Sequence, residues 1–223
     1  MTQIYVAGIA MTVFGRHPER SLEDLAGEAL SRALADAGCT APQIGVAYYS
    51  GMTNGTLQGQ ISIPGQVIFS KIGIEGIPVY NVENACASGS SAFNLAVQSL
   101  KAGTADVALA IGAEKMNIPD KAKAFAIFEG GWDVSRAEAN AAVLLKMGEG
   151  ITPPPGSESD KPYSKFMAIY AAFCRWHMKT YGTTQRQIAA VCAKNHQHSV
   201  HNPWSQFRKP FTVDEVLAAP PIT

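Results

Sequence analysis

The chain has 223 residues, with 18 basic and 18 acidic side chains, 47% hydrophobic residues and only 16% charged ones. Those counts exclude a disordered chain, a collagen-like repeat and a strongly basic nucleic-acid binder, and the length suffices for a sizeable core in one or two domains. Charge is sparse against about 25% in typical soluble domains, so much of the surface is expected to face another subunit or another stretch of polypeptide.

Ile4 to Ile9 is short, apolar and rich in β-formers, and predicts a strand. From Ser21 onward Leu22, Leu25, Ala26, Ala29, Leu30, Ala33 and Leu34 recur at helical spacing, with Ser21 and Asp24 as start signals and Gly38 as the stop. Gly45 to Ser50 predicts a second strand, and the Gly/Thr/Asn/Gln stretch from Gly51 to Gln60 a loop. A clearer strand–helix–strand unit follows: Ile77 to Val82, Cys86 to Ala102, and Ala105 to Gly112, a continuous apolar run of the kind found in parallel strands covered on both faces. The helix begins with Ala87, Ser88, Gly89, Ser90, Ser91 and Ala92, residues with almost no girth, which implies close packing inside a layered structure.

Beyond Met116 the pattern loosens and reaches the brake Pro153-Pro154-Pro155-Gly156, which reads as an inserted loop subdomain. Helical patterning returns over Ser164 to Tyr181 and Thr184 to Val200, and Phe211 to Leu217 reads as a strand or its lead-in. The expected organisation is a core at 1–116, an insertion at 117–162 and returning helices at 163–223. The four cysteines form no close pair, which suggests neither a disulfide framework nor a zinc site and points to a reducing compartment. The first residues lack a leader pattern and no apolar run reaches a membrane span, so a cytoplasmic protein without a membrane span is expected.

Cys86 lies in Val82-Glu83-Asn84-Ala85-Cys86-Ala87-Ser88-Gly89, where a strand gives way to a small-residue helix. A cysteine there faces the positive end of the helix dipole and unpaired backbone N–H groups, surroundings that favour thiolate and nucleophilic attack. The same position also suits a small cysteine filling space in a tight turn. Glu83 and Asn84 are expected either to orient that turn or to cap the helix. Gly51, Gly55 and Gly59 fit neither of the two glycine-rich phosphate-binding patterns. His196, His198 and His201 are spaced so that three imidazoles do not share one helix face, and no metal site is expected from them.

Three separated motifs carry a resemblance: Asn84-Ala85-Cys86-Ala87-Ser88-Gly89, then Gly112-Ala113-Glu114-Lys115-Met116, then Lys194-Asn195-His196-Gln197-His198-Ser199 with Asn202-Pro203-Trp204-Ser205-Gln206-Phe207. In that order the chain resembles the thiolase superfamily, and within it the sterol carrier protein X thiolases and the lipid-transfer-protein thiolases and aldolases. The resemblance implies the N-terminal half of a thiolase: a mainly parallel five-stranded sheet with helices on both faces plus an inserted loop subdomain. In the whole family two such halves stack as αβαβα layers.

By the same resemblance Cys86 is the catalytic nucleophile, taking an acyl group from a coenzyme A thioester, with its backbone N–H as half of an oxyanion hole. Met116 lines the acyl site, or else is an ordinary core methionine. No permanently bound cofactor and no metal are implied, and coenzyme A thioester is the substrate. The family's catalytic histidine, second cysteine and further oxyanion donors belong to a C-terminal half. Cys174 and Cys192 lack its glycine and His-Pro context and read as structural. Arg175, Lys179, Arg186, Arg208 and Lys209 are candidates to meet coenzyme A phosphates, none singled out. Implied partners are acyl-CoA, a second copy in a dimer or tetramer with the glycine-rich 51–59 stretch at the subunit contact, the missing C-terminal half and an OB-fold chain. The implied reaction is thiolysis or its Claisen reverse. Retro-aldol cleavage by a lyase and an inactive assembly half are the alternatives.

Overall fold

A computed structural model describes residues 3–152, 163–220 and 222. The chain forms two compact units, Met1–Ile127 and Phe128–Thr223. In the first unit the order is α1 (Leu22–Ala37), β1 (Val46–Ser50), α2 (Asn54–Gln58), α3 (Pro64–Lys71), β2 (Val79–Val82), α4 (Ser88–Lys101), β3 (Ala108–Gly112) and α5 (Lys121–Ala126).

Local signals set several of these boundaries. Ser21 Oγ accepts from the Asp24 N–H while the Asp24 carboxylate takes the Ser21 N–H, a reciprocal cap that fixes the start of α1. Gly38, at φ +63°, closes the helix in the left-handed conformation that glycine adopts without strain.

The three strands are parallel in the order β2-β1-β3, with Tyr48 paired to Tyr80 on one side and Ala110 on the other. All five residues of β1 are buried, so the central strand contributes to both faces with period two. Ala47 and Tyr49 join Leu22, Ala26, Leu30, Ile68 and Phe69 in a core under α1 and α3. Val46 and Tyr48 pack on Ala92 and Ala96 of α4. The small residues of α4 allow this close approach, and the opposite side leaves Phe93 and Leu95 exposed. The first unit is therefore a helix–sheet–helix sandwich.

The fold class is the expected one, but the described residues hold three strands and not five. Ile4 to Ile9 forms no strand: Tyr5, Val6 and Ile9 are exposed, and the Ile9 N–H donates to the Asp36 carboxylate at 2.9 Å instead of joining a ladder. Gly8 lies against α1 so closely that an added Cβ would sit 2.3 Å from the Ala33 carbonyl oxygen. Phe211 to Leu217 is not a strand either. Thr212 and Glu215 form a reciprocal cap that starts a helix at Val213. The stretch 51–60, expected as loop, contains α2, and 64–71 adds α3.

The second unit carries α6 (Ala137–Lys146), α7 (Lys165–Tyr181), α8 (Gln185–Ser199) and α9 (Val213–Leu217). Side-chain caps from Ser164 and Thr184 begin α7 and α8, and Gly182 at φ +71° ends α7. Phe166 packs against Trp132 with ring centroids 4.7 Å apart, and an Arg186–Asp214 ion pair at 2.8 Å links α8 to α9. The proline brake at 153–155 lies outside the described residues.

Candidate active site

Because all three strands are parallel, their C-terminal ends lie along one edge of the sheet, where ligands commonly bind in open α/β folds. Val82 and Gly112 both pair with Ser50, so Cys86 and Met116 each stand four residues beyond the same row. The two exits are separated by β1, about 10 Å at ordinary strand spacing.

After β2 the chain makes a sharp turn. Ala85 holds φ +46°, a left-handed conformation that costs a non-glycine residue about 1 kcal/mol. Ala85, Cys86 and Ala87 form one 3-10 turn, and α4 proper begins at Ser88, two residues later than the sequence suggests. The turn is held by its own residues. Buried Ser88 accepts the Asn84 N–H at 2.9 Å and donates to the Ala85 carbonyl at 2.7 Å. Glu83 accepts the Ala85 N–H at 2.6 Å, and the Asn84 amide donates to Ser91 Oγ at 2.9 Å. Of the two roles considered for Glu83 and Asn84, the structure shows the orienting one, since neither side chain caps a helix. Cys86 itself is exposed at this bend.

The β1 and β3 exits are built differently. Tyr49 is fully buried, its hydroxyl donating to the Ala113 carbonyl at 3.0 Å and accepting from the Asn54 amide at 2.6 Å. Burial pushes its phenol up to about 12, outweighing the hydrogen bond from Asn54, which acts in the opposite direction. The Glu114 carboxylate accepts the N–H groups of Met52 and Thr53, while Gln58 donates to the Lys115 carbonyl at 3.3 Å. Met116 follows directly and is 39% exposed. Sequence reasoning assigned no separate role to Ser88, Tyr49, Asn54 or Glu114, although Ser88 and Glu114 stand within the quoted motifs. Of these only Ser88 carried a local signal, a hydroxyl within hydrogen-bonding range of a strand-to-helix turn.

The other candidates lie elsewhere. Cys39 is partly buried and donates to the Ala37 carbonyl; Cys174 and Cys192 are exposed on α7 and α8. The five basic candidates all belong to the second unit. Lys179 donates to the Glu149 carbonyl, Arg186 pairs with Asp214 and Lys209 stands over the Phe211 ring at 5.0 Å. Arg175 lies against Gly148. His196 packs edge-on to Phe211 at 4.8 Å, with its Nδ1 buried and without a hydrogen-bond partner among the described residues. Among the described residues no cluster of three or more His, Cys, Asp or Glu side chains is placed to hold a metal, and no helix is long and apolar enough to cross a membrane.

The chain is similar to several known proteins. Bovine (Bos taurus) sterol carrier protein 2 is 33% identical over 226 residues, covering 97% of this chain and 37% of its own length. Acetyl-CoA acetyltransferase of Methanothermobacter thermautotrophicus is 31% identical over 218 residues, covering 97% and 50%. In fold, the chain is similar to the Ltp2-ChsH2(DUF35) aldolase, with a TM-score of 0.65 over 97% of this chain and 49% of that one at 22% identity. The chain thus spans half or less of the length of these proteins. Residues 4–216 match the thiolase N-terminal domain family, and the chain belongs to that family.

Proposed function

We propose that the chain supplies the nucleophile-bearing half of an enzyme that transfers acyl groups between coenzyme A thioesters. The observation that carries this reading is the exposed Cys86 at a strained strand-to-helix bend, at the C-terminal edge of a thiolase-family sheet, where open α/β folds commonly bind ligands. The Cys86 thiolate attacks the 3-keto carbon of a 3-ketoacyl-CoA, and its own backbone N–H donates to the developing oxyanion. The C2–C3 bond then breaks, its electron pair going to C2, which takes a proton and leaves as acetyl-CoA. Free coenzyme A attacks the Cys86 thioester, releasing the shortened acyl-CoA and restoring the thiolate. Run backwards, the same steps make a Claisen condensation. The proton-transfer groups are assigned to a second thiolase half, and Met116 to the wall of the acyl site. A second copy is assigned to the outer edge of β2, where Tyr80 is 52% exposed and the Val79 carbonyl accepts from the Gln66 amide.

Rapid acid quench after mixing with acetoacetyl-CoA, followed by peptide mass mapping, tests the reading. An acetyl group on the Cys86 peptide is expected. Acylation of Cys39, Cys174 or Cys192 in its place would overturn the assignment. Cleavage of a β-hydroxyacyl-CoA with Cys86 left free would assign a retro-aldol lyase.

A further inference from the structure

Hydrogen bonds at the C-terminal edge of the sheet are unevenly distributed. Those of the Cys86 turn stay within residues 83–91. Those of the β1 exit reach across the chain to the β3 exit. Tyr49 and Ser50 donate to the Ala113 and Ile111 carbonyls, Met52 and Thr53 donate to Glu114, Gln58 donates to the Lys115 carbonyl, and Lys123 Nζ donates to the Leu57 carbonyl. Helix α2 lies between these bonds. Thr53, just before its first residue, is fully buried and its side chain caps no amide of the helix, while the N–H groups of Met52 and Thr53 that lead into it go to a distant acceptor. Glu114 is that acceptor, a negative charge at the helix N-terminus, and Lys123 is a positive charge at its C-terminus.

We propose that Glu114 is a positioning residue which, with Lys123, locks the β3 exit bearing Met116 onto α2, and that this lock sets the acyl length the site accepts. The length statement rests on the acyl-transfer reading. The lock itself does not. If α2 comes loose, Met116 and its neighbours lose their fixed backing, and long chains suffer more than short ones, because each additional methylene relies on a fixed wall.

Two measurements on the protein as expressed from its gene separate these statements. Hydrogen exchange read by mass spectrometry over 51–59 and 113–118 is expected to quicken at least tenfold in both segments for Glu114→Ala, with 83–91 unchanged. Glu114→Gln, which keeps an oxygen acceptor, is expected to restore protection, and Lys123→Met to loosen the two segments to a smaller degree. Exchange in Glu114→Ala equal to the parent, or loosening that includes 83–91 equally, overturns the lock. Should Glu114→Ala fail to fold, Lys123→Met decides the matter by the same segments. With C4 to C12 3-ketoacyl-CoA substrates, Glu114→Ala is expected to raise KM for the longest by about tenfold more than for the shortest, and Glu114→Gln to reverse the difference. A uniform loss in kcat across lengths overturns length control. If the parent transfers no acyl group, the acyl-transfer reading fails, and the exchange pattern still decides the lock.

Discussion

The strand exits along one sheet edge are built by two opposite means. The β2 exit, with Cys86, is a bend whose hydrogen bonds run between near neighbours and whose strain sits in a single residue, Ala85. The β1 and β3 exits are joined by side chains from residues about 60 positions apart in sequence, around a buried tyrosine. The first is a local module, and its geometry follows from a short string of residues. The second exists only once the sheet has formed. The proposed nucleophile is thus carried on the part least sensitive to distant change, and the proposed wall of the acyl site on the part most sensitive.

The largest effect expected is chemical. Cys86→Ser should lower acyl transfer at least a thousandfold, since a hydroxyl in that turn is a far weaker nucleophile than a thiolate. Hydrogen exchange over 51–59 should be unaffected, and a change there would break the separation of the two exits. Next is Tyr49, packed edge-on against Phe69 at 6.0 Å. Tyr49→Ala should cost about 3–5 kcal/mol in denaturant unfolding, from the void it leaves in the first unit's core.

Alkaline pH probes the same residue more gently. An unfolded tyrosine loses its proton near pH 10, while Tyr49 keeps its proton to about 12. The stabilisation is fully present below pH 10 and is lost as pH rises from 10 to 12, by about 2–3 kcal/mol. Tyr49→Phe should remove that part of the alkaline slope, measured as unfolding free energy against pH. An unchanged slope would mean that the hydroxyl is not held as its contacts with Ala113 and Asn54 indicate.

Ser88→Ala removes a buried hydroxyl that serves both Asn84 and Ala85, and should cost about 1–3 kcal/mol. Iodoacetamide labelling of Cys86 should change in rate, with 113–118 still protected. The smallest effect is expected at Ala85→Gly, where relief of the left-handed strain and the added freedom of the unfolded chain nearly offset each other, within about 1 kcal/mol. A loss of several kcal/mol at Ala85 would show that its methyl group is packed and that the turn is not self-sufficient.

Legibility from sequence followed the same division. The start and stop of α1 were readable at Ser21, Asp24 and Gly38, because caps act within four residues. The Cys86 bend was readable too, apart from the later start of α4, because its partners are neighbours in sequence. Thr212-Val213-Asp214-Glu215 also holds a local cap, and its signal outweighed the β-forming residues that suggested a strand. Ile4 to Ile9 misled for a different reason. An apolar run signals burial against something but not pairing, and here Gly8 and Ile9 meet α1 rather than another strand. Helix α2 was unreadable, since Asn54-Gly55-Thr56-Leu57-Gln58 has weak propensity and is stabilised by Glu114 and Lys123 from beyond β3. Met116 was singled out by resemblance alone, whereas the bonds that back it were visible only in three dimensions.

The parallel pairing of β1 with β3 also bears on how the chain reaches this state. Val46 meets Ala108 only after the intervening segment, with three helices and another strand, has been brought round, so the contact carries a loop-closure cost before it gives any stabilisation. Helices α1, α8 and α9, each with a reciprocal cap encoded locally, have no such delay. During refolding their amides are expected to gain protection first in pulsed hydrogen exchange, with the apolar strands uncovered until the sheet closes. The step most exposed to competing association is therefore the one that assembles the edge on which Cys86 and Met116 come to stand.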